Sequence, residues 1–133
     1  MITRRQAWAA IGAALAVAAL AVGLGLAAAD APEPAYRIAG ASADRGRDAV
    51  AAYTCNACHM IPGVRGFDAK VGPPLEAFAT RSYIAGRLPN DPESLVRWIM
   101  DPQGVVPGND MPNLGIPEGT ARDIAQFLYT LTG

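Results

Sequence analysis

The apolar positions of this chain fall into two unlike patterns. From Ala7 to Ala29 no charged residue occurs, and this run follows Arg4, Arg5 and Gln6. Beyond Asp30 the apolar residues are spaced, and three segments carry helical signals. Ser42 is placed to cap a short alanine-rich helix running through Asp44, Gly46 and Val50 to about Tyr53. Asn90-Asp91-Pro92-Glu93 offers a capping side chain, a first-turn proline and an acid at the positive end of the dipole, predicting a second helix that ends near Met100. Ile124, Phe127, Leu128 and Leu131 stand at i, i+3, i+4 and i+7, one apolar stripe. It predicts a last helix starting between Pro117 and Ala121 and ending before Gly133.

The intervening stretches resist regular structure. Residues 62–75 are rich in Gly and Pro, and Pro102 to Pro117 holds four prolines and three glycines. That stretch reads as an ordered loop, too interrupted for either a helix or a central strand. No alternation longer than a few residues marks a strand, and no internal repeat occurs. The pattern predicts a mainly α domain of short helices and Gly/Pro-rich loops, preceded by an apolar N-terminal helix.

Ala7 to Ala29 is 23 residues long, enough for a helix to cross a bilayer core of roughly 30 Å. The basic flank, the Ile11 to Leu26 stretch and the Ala27-Ala28-Ala29 exit equally suit a cleaved secretory signal. Residues 1–29 are therefore a signal peptide or a membrane anchor. Either way the Arg4/Arg5 flank stays inside and the rest of the chain is exported. Residues 30–41, with Pro32 and Pro34, read as an extended linker, and residues 42–133 as the folded domain. Without the first 29 residues, 104 of the 133 remain, a size whose core is marginal and gains from a covalently held cofactor. These 104 hold nine of the eleven Lys/Arg (all but Arg4 and Arg5) against all twelve Asp/Glu, a net charge of −3. No basic patch for nucleic acid exists.

The candidate chemistry is concentrated in five residues. Cys55-Asn56-Ala57-Cys58-His59 contains both cysteines and the one histidine of the chain, in the C-x-x-C-H order of covalent haem attachment. Two thiols at this spacing can each add to a vinyl group on one porphyrin edge, which delivers the next residue beneath the iron. His59 is then the proximal axial ligand. Structural zinc needs four ligands, and no second Cys or His pair is present. A thioredoxin-like thiol pair expects a βαβ setting, whereas this motif ends a helix and enters a Gly/Pro loop. A plain disulfide is the blandest alternative in an exported domain.

With the histidine used, two-histidine ligation is excluded and the sixth ligand falls to a methionine. Met1 belongs to the targeting segment, and Met60 adjoins the proximal ligand. Met100 lies one turn after Val96 on the same face, which suits core packing, and ranks second. Met111, in the proline-stiffened loop Pro107 to Pro112, is the favoured distal ligand. A closed iron site suits electron transfer rather than bond chemistry. No carboxylate pair with a base, Ser/His arrangement or phosphate loop stands in the sequence, so neither an enzyme nor a small-molecule substrate is expected.

On these residues the sequence resembles the class I c-type cytochromes over essentially all of residues 42–133. Cys55 to His59 match the attachment motif, Gly72-Pro73-Pro74-Leu75 the glycine-proline-x-leucine segment, Met111-Pro112 the distal methionine and Ile124 to Leu131 the final helix. The resemblance implies a class I cytochrome c fold around one covalent haem c and its iron. It implies that the Pro73 carbonyl accepts the His59 Nδ1 hydrogen, that Leu75 packs on the haem face, and that Trp98 stands near a haem propionate or serves as a core aromatic. It also implies that Gly46 admits a close crossing of the last helix, with Phe127 against it. Family members often carry an aromatic about one turn beyond that glycine, where this chain has Val50 and Ala51.

The implied function is a single-electron carrier in a respiratory chain, on the periplasmic side of a bacterial inner membrane. Its redox partners would be a quinol–cytochrome c oxidoreductase or dehydrogenase on one side and a terminal oxidase or reductase on the other. The alternative is a permanent haem c subunit of a membrane oxidase or dehydrogenase. A gas sensor or haem enzyme with open iron requires that Met111 not bind. Lys70 is the one lysine of the chain, so docking by a lysine ring is not expected. An apolar contact at the haem edge, or a partner in the same membrane, fits better.

Overall fold

The computed structural model describes residues 34–66 and 69–133. The apolar run 7–29, with its reading as signal or anchor, lies outside them. Among the described residues no helix is long and apolar enough to cross a membrane.

Helix starts are set by side chains, as the sequence signals require. Helix α1 is Ala43–Ala52, and the Ser42 hydroxyl accepts from the Arg45 N–H at 3.4 Å. Helix α2 is Pro92–Met100, with the Asp91 carboxylate accepting from the Ser94 N–H at 2.8 Å. The stretch after it is not all loop. Pro102–Val105 forms a one-turn helix, α3, capped by Asp101, whose carboxylate accepts from the Gly104 N–H at 2.9 Å. The physical reason is a repeated start signal: Asp101-Pro102 offers the same cap and the same pre-set first-turn φ as Asp91-Pro92. Averaging prolines over the whole loop hides it. Helix α4 is Glu118–Leu128, and it stops before Leu131, which packs on the core from the tail behind it. Strand β1 (Tyr83–Ile84) pairs antiparallel with β2 (Leu88–Pro89) across a turn in which Ala85 and Gly86 are both left-handed. Two residues per strand give no readable alternation.

The core forms where α1 and α2 pack on α4, with Val50, Leu95 and Tyr129 among the most completely buried side chains. The α1–α4 crossing depends on Gly46. A Cβ there would lie 2.0 Å from the Asp123 carbonyl oxygen and 2.8 Å from the Phe127 Cβ, well inside any contact distance. Val50 one turn on fills the space next to the crossing without an aromatic. Tyr129, fully buried, donates its hydroxyl to Asn90 Oδ1 at 3.1 Å. Asn90 in turn donates to the Phe78 and Arg81 carbonyls. Burial pushes the Tyr129 hydroxyl well above its ordinary pKa.

Residues 34–41 are the described part of the expected linker, and from Ala35 on they are bonded to α4 and its C-terminal cap. The Ala35 N–H donates to the Tyr129 carbonyl at 3.0 Å and the Ile38 N–H to Gln126 Oε1 at 2.7 Å. Gln126 Nε2 returns a bond to the Tyr36 carbonyl, and Arg122 donates to the Ala39 carbonyl. Asp123 closes this strap. It accepts from the Ser42 N–H and, on both oxygens, from Arg45, each at 2.7 Å. The Arg45 bonds hold its carboxyl below the usual carboxylate range.

Candidate functional site

The site begins where α1 ends. Thr54 adopts a left-handed conformation (φ 53°), rare for a β-branched residue, and turns the chain into the 3₁₀ turn Cys55–Ala57. The Cys58 and His59 N–H groups both donate to the Cys55 carbonyl, at 3.2 and 3.0 Å. The two thiols are free and half-buried, and burial pushes the Cys55 thiol above its ordinary pKa. Both sulfurs and the imidazole are thus mounted on one turn.

The ring of His59 is held from two sides. Its Nδ1 lies 2.8 Å from the Pro73 carbonyl oxygen. A carbonyl only accepts, so the proton is on Nδ1 and the lone pair is on Nε2, the state a metal ligand needs. Gly72 lies against the ring: a Cβ there would approach Cε1, Nδ1 and Nε2 to 2.4, 2.6 and 2.9 Å. The segment holding Gly72 and Pro73 is itself tied to the motif, because the Gly72 N–H donates to the Cys58 carbonyl and the Leu75 N–H to the Met60 carbonyl, both at 2.8 Å. Beside His59 opens a cavity of about 280 Å³, lined by Met60, Ile61, Val64 and Pro74 among others.

Cys55, Cys58, His59, Pro73 and Leu75 therefore share one hydrogen-bonded segment. Trp98, on α2, and Met111, in the loop after α3, come from separate elements, and among the described residues no hydrogen bond joins them to it. Trp98, Leu75, Val64, Leu88 and Met100 pack against the core on one side and remain half-exposed on the other. Of these, Val64 also lines the cavity beside His59. With two free thiols and a lone pair on Nε2 beside them, the residues present fit a covalent haem. Among the described residues no group of three or more His, Cys, Asp or Glu gathers as a metal site of another kind.

Met111 is half-buried. Its N–H donates to Asn109 Oδ1 at 2.7 Å and its carbonyl accepts from Gln103 Nε2 at 2.8 Å. Neither Gln103 nor Asn109 stood out in the sequence. The available signal was an amide side chain flanking each side of a Pro/Gly turn, the arrangement that replaces backbone partners where regular structure supplies none.

The shape of the domain is similar to that of cytochrome c2 from Rhodobacter sphaeroides, with a TM-score of 0.54 over 69% of this chain and 97% of that one, at 20% identity. The fold is that of a class I c-type cytochrome. Within the cytochrome c fold, the α1–α4 crossing at Gly46 and Phe127 and the bond from His59 to Pro73 stand where the resemblance leads one to look. In sequence the chain is 35% identical over 89 residues to cytochrome c oxidase subunit 2 of Alkalihalophilus pseudofirmus. It is 37% identical over 60 residues to the same subunit of Bacillus sp. strain PS3. These matches take in 67% and 44% of this chain but 25% and 17% of those proteins, so the chain spans at most about a quarter of their length. No family model matches the chain.

Proposed function

We propose that this chain is a monohaem c-type cytochrome that carries single electrons between respiratory-chain proteins outside the cytoplasmic membrane. The observation behind this reading is the state of His59, with Nδ1–H on the Pro73 carbonyl and the Nε2 lone pair unspent, directly after the second of two free thiols. Cys55 and Cys58 would each add across a vinyl group, the sulfur taking one carbon and the thiol hydrogen the other. His59 and Met111 would be the axial ligands. The bound group supplies a one-electron iron couple. The chain's own residues do the rest: Pro73 orients the imidazole and raises its basicity, Gly72 leaves room for it, and Leu75 and Trp98 wall the ring against water. A thioether as distal ligand favours the ferrous state relative to two nitrogen ligands.

The test is expression in an exporting host with haem-attachment machinery. The expected product is heavier by one haem, and its reduced form resists carbon monoxide until Met111 is changed to Ala. A product without haem mass, or a wild-type protein that takes up carbon monoxide rapidly, would overturn the reading. The proposed partners are a quinol-oxidising complex or dehydrogenase as donor and a terminal oxidase or reductase as acceptor, met on the periplasmic side of a bacterial inner membrane.

A second reading is favoured by the names of the curated relatives, both subunits of an oxidase: the chain is a permanent haem c subunit of such a complex, held there by residues 7–29. Purification from native membranes separates the two. A product that keeps residues 1–29, needs detergent and travels with larger oxidase subunits supports the second reading, whereas one beginning near Asp30 and released in buffer supports a diffusible carrier.

A further inference from the structure

The loop that carries Met111 has no regular structure of its own, yet both backbone polar groups of Met111 are bonded, and both to side chains. Gln103 Oε1 accepts from the Gly108 N–H at 3.1 Å, so the other end of that amide is the donor end. Its Nε2 donates to the Asn109 and Met111 carbonyls, each at 2.8 Å. Asn109 is oriented by the same logic. Its Oδ1 accepts from the Met111 N–H at 2.7 Å, and its Nδ2 donates to the Pro102 and Val106 carbonyls at 2.8 and 2.7 Å. The two amides therefore bind Met111 back to α3, one on each side of its peptide unit. A second tie, from Asn113 Nδ2 to the Asp101 carboxylate at 3.0 Å, holds the chain beyond Met111 without touching it.

We propose that Gln103 and Asn109 are positioning residues that clamp the Met111 backbone from both sides, so that its thioether stays on the iron and the sixth site stays closed to outside ligands. This rests on the assignment of Met111 as distal ligand. The argument is one of chain freedom. A methionine on a three-bond side chain reaches iron only if its Cα is fixed, and a Pro/Gly loop without bonds to Met111 itself would let the thioether leave and a competitor enter. Each net hydrogen bond to the loop lowers the population of the released state by roughly two- to tenfold.

The experiment measures imidazole binding to the ferric, haem-loaded protein, together with hydrogen exchange at the Met111 amide. Gln103→Glu keeps the shape and the acceptor for Gly108 but loses both donor bonds. Asn109→Asp keeps the acceptor for the Met111 N–H and loses the bonds to α3. Each loses two bonds and is expected to bind imidazole at least roughly two- to tenfold more tightly in apparent terms, with faster exchange at Met111. Asn109→Ala, losing both, should exceed Asn109→Asp, and Asn113→Ala should match the wild type. Wild-type imidazole affinity in Gln103→Glu and Asn109→Ala, with Met111→Ala freely open, would sink the clamp and leave the ligand assignment standing. A Met111→Ala protein that remains closed would remove the ligand assignment and the clamp with it.

Discussion

Two glycines divide this molecule. Gly46 lies at the α1–α4 crossing and Gly72 under the ring of His59, and a Cβ at either would sit at impossible distances from its neighbours. What it would strike differs. At Gly46 the obstacle is the backbone carbonyl of Asp123, fixed inside a helix; at Gly72 it is an imidazole on a rotatable side chain. The first region is a dry core whose geometry follows from burial. In the second, the backbone is loop, the cavity beside the ring is lined by apolar side chains such as Met60, Ile61 and Val64, and single hydrogen bonds set orientation. The first makes the fold stable, and the second leaves reactive groups presented in one orientation.

The largest test of this contrast is Gly46→Ala. The helices must separate to admit the methyl group, and we expect a loss of about 3 kcal/mol in chemical unfolding of the haem-loaded protein, spread over the whole domain. An unchanged midpoint would mean that the crossing tolerates a shift. Tyr129→Phe should cost about 1 to 2 kcal/mol, because it leaves Asn90 Oδ1 without its donor in a buried setting. Gly72→Ala should cost the fold only about 1 kcal/mol, the net worth of the His59–Pro73 bond, because the ring can turn away. Its signature is spectroscopic instead: a weakened histidine ligation, seen as carbon monoxide uptake by the reduced protein. If Gly72→Ala destabilised as much as Gly46→Ala with unaltered ligation, the contrast would fail.

The strap on α4 gives a test by pH. The Asp123 carboxyl titrates below its ordinary value in the folded protein because Arg45 and Ser42 bond its charged form. Its contribution to stability is therefore complete above the unfolded value, about 3.9, and is lost as pH falls through the lower folded value. Asp123→Asn should lower stability at neutral pH and flatten the decline below about pH 4, read as acid unfolding curves. The smallest effect is expected at Thr54, whose left-handed conformation strains a branched side chain. Thr54→Gly should gain about 0.5 to 1 kcal/mol, the relief of strain less the added freedom of the unfolded chain.

The helices were legible in the sequence because their determinants are local. Ser42, Asp91-Pro92 and the Ile124 to Leu131 stripe carry caps and periodicity within a few residues of where they act, and Cys55 to His59 carries its chemistry in five consecutive positions. Asp101-Pro102 carried the same local signal and was obscured only by the prolines after it. The linker reading of residues 30–41 came from composition, which says nothing of the bonds from Ala35 to Tyr129 and from Ile38 to Gln126, the latter 88 positions away. Gln103 and Asn109 are ordinary amides until the loop folds back and sets their donors and acceptors around Met111. Sequence by itself pointed to helices α1, α2 and α4 and to the five consecutive residues of the attachment motif, since both depend on neighbours along the chain. Tertiary structure alone decided what holds Met111 and how residues 35–41 are bonded to α4, because each of these is a distance between residues that only the folded chain brings together.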